Sequence, residues 1–190
     1  LKLEPIEVDV KVVLIGDAQM YQSFYQGDPD FKKIFKVKSD FDSVMERTPA
    51  SIKGYACFMS RLAAEENLLP FHRSAVAAIV EEGVRLAGRQ TKLSARFSDI
   101  ADVLREADYW ARQEGTEVVR NEHIDRAVAE QVARRNLVEE RVGELIRDGI
   151  IMISSDGERI GQVNGLSVYD LGDYRFGRPT KITATVATGR

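Results

Sequence analysis

Cysteine and histidine are nearly absent from this sequence of 190 residues, and their scarcity excludes several kinds of site. Cys57 is the only cysteine, so no disulfide can form within the chain. His72 and His123 are the only histidines, and the sequence has no Cys/His cluster with metal-ligand spacing. We therefore expect no metal site. The apolar helical stretch around Cys57 predicts that its side chain is buried, and both histidines are expected to be structural.

The motifs of self-sufficient catalysis are also missing. The sequence has no Gly-x-x-x-x-Gly-Lys-Ser/Thr loop, the motif that holds nucleotide phosphates. No serine stands in the strand–turn–helix context of a nucleophile elbow. No apolar run approaches the roughly 20 residues that span a bilayer, and no signal peptide is present. The sequence thus predicts no catalytic residue and no membrane segment within this chain.

The overall composition is that of an ordinary globular protein. Hydrophobic residues make up 44% and charged residues 30% of the chain, which is enough apolar surface for a buried core. The formal net charge is −3. An acidic balance argues against a general phosphate-binding role, because affinity for nucleic-acid backbones comes largely from lysine and arginine.

The first part of the chain predicts short strands. Residues 8–17, "VDVKVVLIGD", form a short and nearly continuous apolar run that ends at Gly16. Such a run is typical of a parallel strand covered on both faces. Apolar and polar residues alternate over Phe35–Phe41, which predicts a second strand.

From residue 48 the apolar period becomes helical. Thr48-Pro49 is typical of a helix start, with a hydroxyl cap followed by proline at the first helical position. Four helices are predicted. They run from Thr48 to about Glu66, from Ser74 to Leu86, from near Ser94 to Gly115, and from near Asn121 past Leu145 to about Gly149.

After Gly149 the pattern becomes that of strands. Asp156-Gly157 is a favoured hairpin dipeptide and predicts a turn between two strands. The last thirty residues, "GQVNGLSVYDLGDYRFGRPTKITATVATGR", alternate in polarity and predict further hairpins, with a turn at Gly-Arg-Pro. The predicted fold is therefore mainly α with β, in which a helical bundle follows remnant strands and precedes an incomplete β segment.

Arg96 is the most informative charged residue of the helical part. It falls in the predicted first turn of the third helix, where unsatisfied N–H groups and the helix dipole favour negative charge. An arginine there is unfavourable by a few tenths of a kcal/mol unless an anion lies nearby. One interpretation is a surface ion pair with Asp99 or with another helix, and the other is an anion-binding role.

The order of these parts resembles the C-terminal half of an AAA+ ATPase module. The chain has a strand that ends in a polar residue, then a basic turn, then a helical lid with an arginine at its third helix. The fourth helix begins with "VVRNEHIDRAVAE", which looks like the final helix of such a lid. The stretch "GQVNGLSV" resembles the start of the proteolytic domain of Lon-type proteases. The resemblance implies core residues at 1–47, the helical lid at 48–149, and a linker with the first protease strands at 150–190.

The resemblance also implies roles for individual residues. Arg96 looks like the sensor-2 arginine of the lid, whose planar guanidinium suits a phosphate. Asp17 matches the sensor-1 position, where many relatives carry asparagine. Lys32 and Lys33 match the region in which relatives present a trans-acting arginine to the neighbouring subunit. These four residues are the expected nucleotide-binding set, with a solvated basic turn as the alternative for the two lysines.

For the whole protein, the resemblance implies an ATP-dependent serine protease that uses ATP with Mg²⁺. Its Walker motifs would precede Leu1 and its Ser-Lys dyad would follow Arg190. We expect unfolded or damaged proteins as substrates, a homo-oligomeric, hexameric ring, and a cytoplasmic location. No membrane partner is expected, and nucleic acid is possible but not indicated. The chain alone is expected to be inactive and to hold no tightly bound cofactor.

Two other functions remain open at this point. The first is an AAA+ remodelling ATPase without protease activity, but such a protein has no use for the Gly161–Val168 stretch. The second is a helical nucleic-acid-binding module that uses Arg120, Arg134 and Arg135. The negative net charge and the absence of a concentrated basic helix count against it.

Overall fold

The computed structural model describes residues 9–154, 156–171 and 174–187, which fall into two compact units. The first unit ends at Phe41 and the second begins at Asp42. Helices make up most of the regular structure, and the described strands form two antiparallel pairs. The prediction of a mainly α protein with some β structure is therefore confirmed.

The first unit contains two short helices that pack through aromatic rings. They are α1 (Ala18–Gly27) and α2 (Phe31–Ile34). The buried ring of Phe31 has its centroid 5.7 Å from that of Tyr21, 5.6 Å from that of Phe24 and 5.0 Å from that of Phe35. Aromatic pairs of this kind contribute about 0.5–1.5 kcal/mol beyond their buried area. The ring cluster thus holds α2 against α1.

The strands predicted at 8–17 and Phe35–Phe41 are wrong wherever the structure describes these segments. Residue 8 lies outside the described residues. Residues 9–17, which precede α1, and residues 35–41, which precede the second unit, contain no strand. Val13 and Ile15 are 79% and 96% exposed. A strand depends on hydrogen bonds to a neighbouring strand, and in the described part of the chain neither segment has one.

Within its described residues, the second unit contains five helices and four strands. In chain order they are β1 (Val44–Glu46), α3 (Pro49–Glu66), α4 (Arg73–Ala87), β2 (Lys92–Ser94), α5 (Phe97–Gln113), α6 (Asn121–Arg135), α7 (Leu137–Arg147), β3 (Gln162–Asp170) and β4 (Arg175–Thr183). The main hydrophobic core lies among α3, α4, α5 and α6. None of the helices in the described residues is long and apolar enough to cross a membrane.

Helix α3 begins where the sequence predicts. Thr48 is its N-cap and Pro49 its first residue. The Thr48 hydroxyl accepts a hydrogen bond from the Ser51 backbone N–H at 3.2 Å, and the Ser51 hydroxyl accepts one from the Thr48 N–H at 2.8 Å. This reciprocal pair satisfies two donors that the first helical turn would otherwise leave unpaired.

The buried face of α3 excludes its cysteine. Tyr55, Met59 and Leu62 recur at helical spacing and are buried. Cys57 lies between these positions and is exposed. The prediction that Cys57 is buried is therefore wrong. Cys57 lies two residues after Tyr55, and side chains two residues apart on a helix do not share a face.

Helices α3 and α4 approach closely at Tyr55. The Tyr55 hydroxyl donates a hydrogen bond to the backbone carbonyl of Ser94, and burial raises the pKa of Tyr55 to about 12. A Cβ atom on Gly83 of α4 would lie 2.6 Å from the Tyr55 Oη. Glycine at position 83 therefore makes room for the buried tyrosine.

A short antiparallel pair of strands fixes the start of α5. β1 pairs with β2, with Val44 opposite Ser94. Beyond the pair, the Ala95 N–H donates to the Ser43 carbonyl at 2.7 Å. The third helix was predicted to begin near Ser94, but this residue ends β2 and α5 begins at Phe97.

Asp108 ties the end of α3 to α5. One carboxylate oxygen accepts from the Leu69 N–H at 2.7 Å and the other accepts from Arg112 Nε at 2.7 Å. Arg112 in turn donates to the Asn67 carbonyl at 2.8 Å. These bonds give the nearly buried carboxylate the partners that a buried charge requires.

The last predicted helix is divided in two. Asn136 lies between α6 and α7 with φ −84° and ψ 6°, and α7 ends before Gly149, whose φ is +73°. Asparagine competes with the helical backbone for hydrogen bonds and favours such breaks. The end near Gly149 is confirmed, whereas a continuous helix from Asn121 is not.

The β segment forms its hairpin later than the sequence predicts. β3 pairs with β4 over nine residue pairs, from Gln162 opposite Thr183 to Asp170 opposite Arg175. No hairpin is centred on Asp156-Gly157 in the described residues, because the preceding segment does not form a paired strand. Pro179 lies inside β4, so the predicted Gly-Arg-Pro turn is wrong. A proline is tolerated there because β4 has a free edge that needs no N–H donor.

Candidate functional site

Arg96 occupies the junction between β2 and α5. It stands at the N-cap position of α5, and its backbone N–H donates to the Ser94 hydroxyl at 3.2 Å. Ser94 is itself buried, and its carbonyl accepts from Tyr55. The backbone of Arg96 is therefore held by the core, while its side chain is 48% exposed.

The side chain of Arg96 makes a weak ion pair along its own helix. Its Nε lies 3.5 Å from a carboxylate oxygen of Asp99, whose side chain is 43% exposed. Half-exposed pairs of this kind contribute about 0–1 kcal/mol, because water screens the charges. The pair with Asp99, one of the two interpretations of Arg96, is thus present in the structure. It is weak enough to exchange for a stronger anion.

Arg96 faces a cavity of about 460 Å³ in the second unit. Helices α4, α5 and α6 form most of the wall, and the residues around the hairpin turn complete it. Its charged lining consists of Arg85, Arg96, Arg135, Arg175, Glu82, Asp99 and Asp102. Four arginines against three carboxylates leave one formal positive charge, and apolar side chains such as Leu86, Val103 and Val128 lie between them. The cavity can therefore accept a small anionic group.

Glu82 is the most buried charged residue of this cavity. Its carboxylate pairs with Arg85 one turn further along α4. Burial raises the pKa of Glu82 above its ordinary value, and the neighbouring Arg85 opposes this shift. Burial therefore makes the ionised form of Glu82 less favourable in the folded protein than in water.

Asp17 serves as the N-cap of α1. Its carboxylate accepts a hydrogen bond from the Met20 N–H at 2.7 Å. A capping aspartate satisfies an orphan donor and complements the positive end of the helix. Asp17 belongs to the first unit, whereas Arg96 belongs to the second.

Lys32 and Lys33 lie side by side on α2, also in the first unit. The Lys32 ammonium stands 4.4 Å from the centroid of the Tyr25 ring, and Lys33 pairs with Asp30 at 2.8 Å. The Lys33 side chain is 72% exposed. The structure therefore brings the two lysines together on one turn, in contacts that a solvated basic turn also makes.

The two histidines have structural partners. His72 caps α4 by accepting from the Ser74 N–H at 3.2 Å. The buried His123 accepts from the Arg120 N–H at 2.9 Å and lies 3.1 Å from a carboxylate oxygen of Glu114. Across the residues that the structure describes, no group of three or more histidine, cysteine or acidic side chains could hold a metal ion.

Two family models match separate parts of the sequence. The archaeal LonB AAA+ ATPase LID domain matches residues 70–134, which include β2, α5 and Arg96. The LonB-like AAA domain matches residues 1–42, which nearly coincides with the first unit. Both matches are to LonB-like AAA+ modules, so this chain is similar to a Lon-like AAA+ segment.

Curated relatives extend the similarity over most of this Lon-like segment. An archaeal Lon protease of Archaeoglobus fulgidus is 25% identical over 172 residues, which cover 88% of the chain and 27% of the relative. A putative Lon protease homolog of Escherichia coli K12 is 26% identical over 183 residues, or 95% of the chain and 30% of the relative. An archaeal Lon protease of Methanothermobacter thermautotrophicus is 22% identical over 175 residues, or 88% and 26%. The Lon-like segment therefore spans less than a third of the length of each of these relatives.

Sequence reasoning missed several cavity residues of the Lon-like segment, and Glu82, Tyr174 and Arg175 are among them. Glu82 follows Ala75 and Ile79 at helical spacing, so its position on the buried face of α4 was available from the sequence. Tyr174 and Arg175 reach the cavity from the hairpin turn. No local pattern indicates that contact, because it joins parts of the chain that are far apart in sequence.

Proposed function

We propose that this Lon-like segment couples ATP binding to substrate movement in an ATP-dependent protease. Residues 1–47 belong to the motor core, residues 48–149 to its helical lid, and residues 150–190 to the linker and first protease strands. The observation that carries the proposal is the position of Arg96. It is held at the first turn of α5 within the matched lid domain, with a half-exposed side chain beside a cavity of net positive charge.

In this proposal Arg96 exchanges Asp99 for a phosphate of ATP. A guanidinium binds phosphate in a bidentate manner, and such charged hydrogen bonds are about twice as strong as neutral ones. Asp17 takes the sensor-1 position, and Lys32 and Lys33 face the nucleotide of a neighbouring subunit. ATP with Mg²⁺ acts in the whole protein, whose motor core supplies the remaining phosphate contacts. Lid closure then depends on the bound nucleotide.

The whole protein is proposed to degrade unfolded or damaged proteins with a Ser-Lys dyad. It acts as a homo-oligomeric ring, with six subunits as the expected number, in the cytoplasm. The similarity to an archaeal Lon protease and to a putative Lon protease homolog supports a protease as the whole protein. The match to the LID domain and the match to the AAA domain support a motor that uses ATP.

The deciding experiment measures ATP-dependent degradation of an unfolded protein by the full-length protein and its Arg96→Ala variant. Loss of one charged contact to phosphate costs roughly 1.5–3 kcal/mol, so degradation should fall more than about tenfold. Cleavage of a small peptide should persist, because it needs no unfolding.

Arg61→Ala is the matched control, since Arg61 is an exposed arginine of α3 that does not line the cavity. It should degrade protein at the wild-type rate. Equal degradation by the Arg96→Ala and wild-type proteins would show that Arg96 forms only a surface ion pair.

A further inference from the structure

The β3–β4 hairpin contacts the helical bundle at one end through Tyr174. This residue directly precedes β4, and its hydroxyl donates a hydrogen bond to the carboxylate of Glu139. Glu139 lies in the first turn of α7. The hydrogen bond to Glu139 raises the pKa of the Tyr174 hydroxyl, which therefore stays protonated and able to donate at neutral pH.

Aromatic packing strengthens the same end of the hairpin. Phe176 is the one buried residue among the described residues of the hairpin. Its ring stacks with those of Tyr169 at 5.6 Å and Tyr174 at 6.1 Å between centroids. At the opposite end, Val163 and Ile182 face each other and are 59% and 54% exposed. The hairpin thus packs against the bundle near its turn, whereas its far end exposes these two side chains and contacts Ser154 through Asn164 and Lys181.

The anchored end also borders the cavity of Arg96. Tyr174 and Arg175 line that cavity together with residues of α4, α5 and α6. The side chain of Arg175 is held by Asp170 at 2.8 Å, across the two strands. One end of the hairpin therefore touches both α7 and the cavity in which Arg96 lies.

Resting on the proposed function, we propose that Tyr174 is a positioning residue that couples the lid to the hairpin. Its bond to Glu139 makes the hairpin follow α7 when the bundle moves in response to a nucleotide at Arg96. Because β3 and β4 are paired along their whole length, a displacement of Tyr174 also moves the far end of the hairpin, where the remaining protease strands would continue. The lid and the proteolytic part would then be linked by one hydroxyl–carboxylate bond and one buried ring.

The test compares the full-length wild-type protein with its Tyr174→Phe variant in three assays. These are ATP hydrolysis, cleavage of a small peptide, and ATP-dependent degradation of an unfolded protein. Tyr174→Phe keeps the stacked ring and removes only the donor. We expect peptide cleavage to stay at the wild-type rate, and ATP hydrolysis is measured so that degradation can be expressed per ATP hydrolysed. Protein degraded per ATP should fall by about threefold or more, the change expected when a hydrogen bond of ordinary net strength is lost.

Two variants separate coupling from stability. Tyr169→Phe removes a hydroxyl whose partner among the described residues is Arg178 of the same hairpin, at 2.8 Å, and it should leave degradation per ATP unchanged. Glu139→Gln keeps an acceptor for Tyr174 and should retain most coupling, whereas Glu139→Ala should behave like Tyr174→Phe. Amide hydrogen exchange of β3 and β4 should respond to ATP in the wild type and not in Tyr174→Phe.

The outcomes distinguish this inference from the proposed function. Wild-type protein that neither hydrolyses ATP nor degrades protein overturns both. An active wild type with unchanged degradation per ATP in Tyr174→Phe and Glu139→Ala overturns the coupling role alone. A parallel fall of all three activities in Tyr174→Phe also overturns it, because such a fall reports a general loss of folded protein.

Discussion

Gly83 and Tyr55 meet across α4 and α3 with no room for a methyl group between them. A Cβ at position 83 would lie 2.6 Å from the Tyr55 hydroxyl, which is buried and bonded to the Ser94 carbonyl. Gly83→Ala should therefore lower the free energy of unfolding by about 1–3 kcal/mol, the usual cost of overpacking a core. Urea unfolding followed by circular dichroism measures this change.

Gly54→Ala provides the matched control on α3. Gly54 is exposed, and a Cβ there meets nothing within 4 Å. Because alanine is the better helix former, this variant should gain about 0.5–1 kcal/mol. Equal effects of the two substitutions would show that the contact between Gly83 and Tyr55 does not limit stability.

Glu82 should make stability depend on pH. Burial raises its pKa above the ordinary value of 4.5, so the folded state binds the proton more tightly than the unfolded state. The free energy of unfolding therefore falls as pH rises from about the unfolded pKa through the folded one. Glu82→Gln should remove this fall and raise stability at neutral pH relative to the wild type.

Denaturant unfolding of both proteins between pH 4 and 8 measures the difference. The control is Glu81→Gln, because Glu81 is the exposed neighbour on the same helix. A pH profile that Glu82→Gln leaves unchanged would mean that the buried carboxylate does not titrate differently in the folded state.

At the scale of single elements, the N-cap of α3 offers a direct test. Thr48 and Ser51 bond reciprocally at 3.2 and 2.8 Å. Thr48→Ala should destabilise the second unit by about 0.5–2 kcal/mol, whereas Thr48→Ser should be close to neutral, because serine keeps the hydroxyl. Thermal unfolding of the three proteins would decide. If Thr48→Ala melts at the wild-type temperature, packing alone fixes the start of α3 and the cap does not contribute.

The helices were predictable because their signals are local. Thr48-Pro49 marks the start of α3 and Gly88 follows the last residue of α4, as the sequence indicates. Strands need partners, and those partners are not visible locally. The apolar run before Gly16 predicts a strand, but the described chain pairs nothing with it. For the same reason, the hairpin pairs Gln162–Asp170 with Arg175–Thr183 and is not centred on Asp156-Gly157.

The candidate site was predictable only in part. Arg96 was found because an arginine at the start of a helix conflicts with the local dipole. The cavity around it was not, since it takes residues from three helices and from the hairpin turn. Asp17 was assigned to the sensor-1 position from the resemblance alone, and in the structure its carboxylate caps α1.

At the scale of the whole molecule, the chain should have no catalytic turnover of its own. Its sequence has neither a phosphate loop nor a nucleophile elbow. Purified chain should therefore release no phosphate from ATP and cleave no fluorogenic peptide above buffer. Measurable turnover that survives repeated purification would contradict this prediction and require a site that the sequence does not indicate.

The pairing of β1 with β2 has a mechanical consequence. Ser43, directly after the residue that opens the second unit, accepts from Ala95, the residue before Arg96. A tensile load applied to the chain at Asp42 would thus be borne by hydrogen bonds one peptide away from Arg96, and not by the long covalent path through α3 and α4. Three antiparallel residue pairs form a short clamp. The backbone beside Arg96 would therefore be among the first parts of the bundle to bear that load.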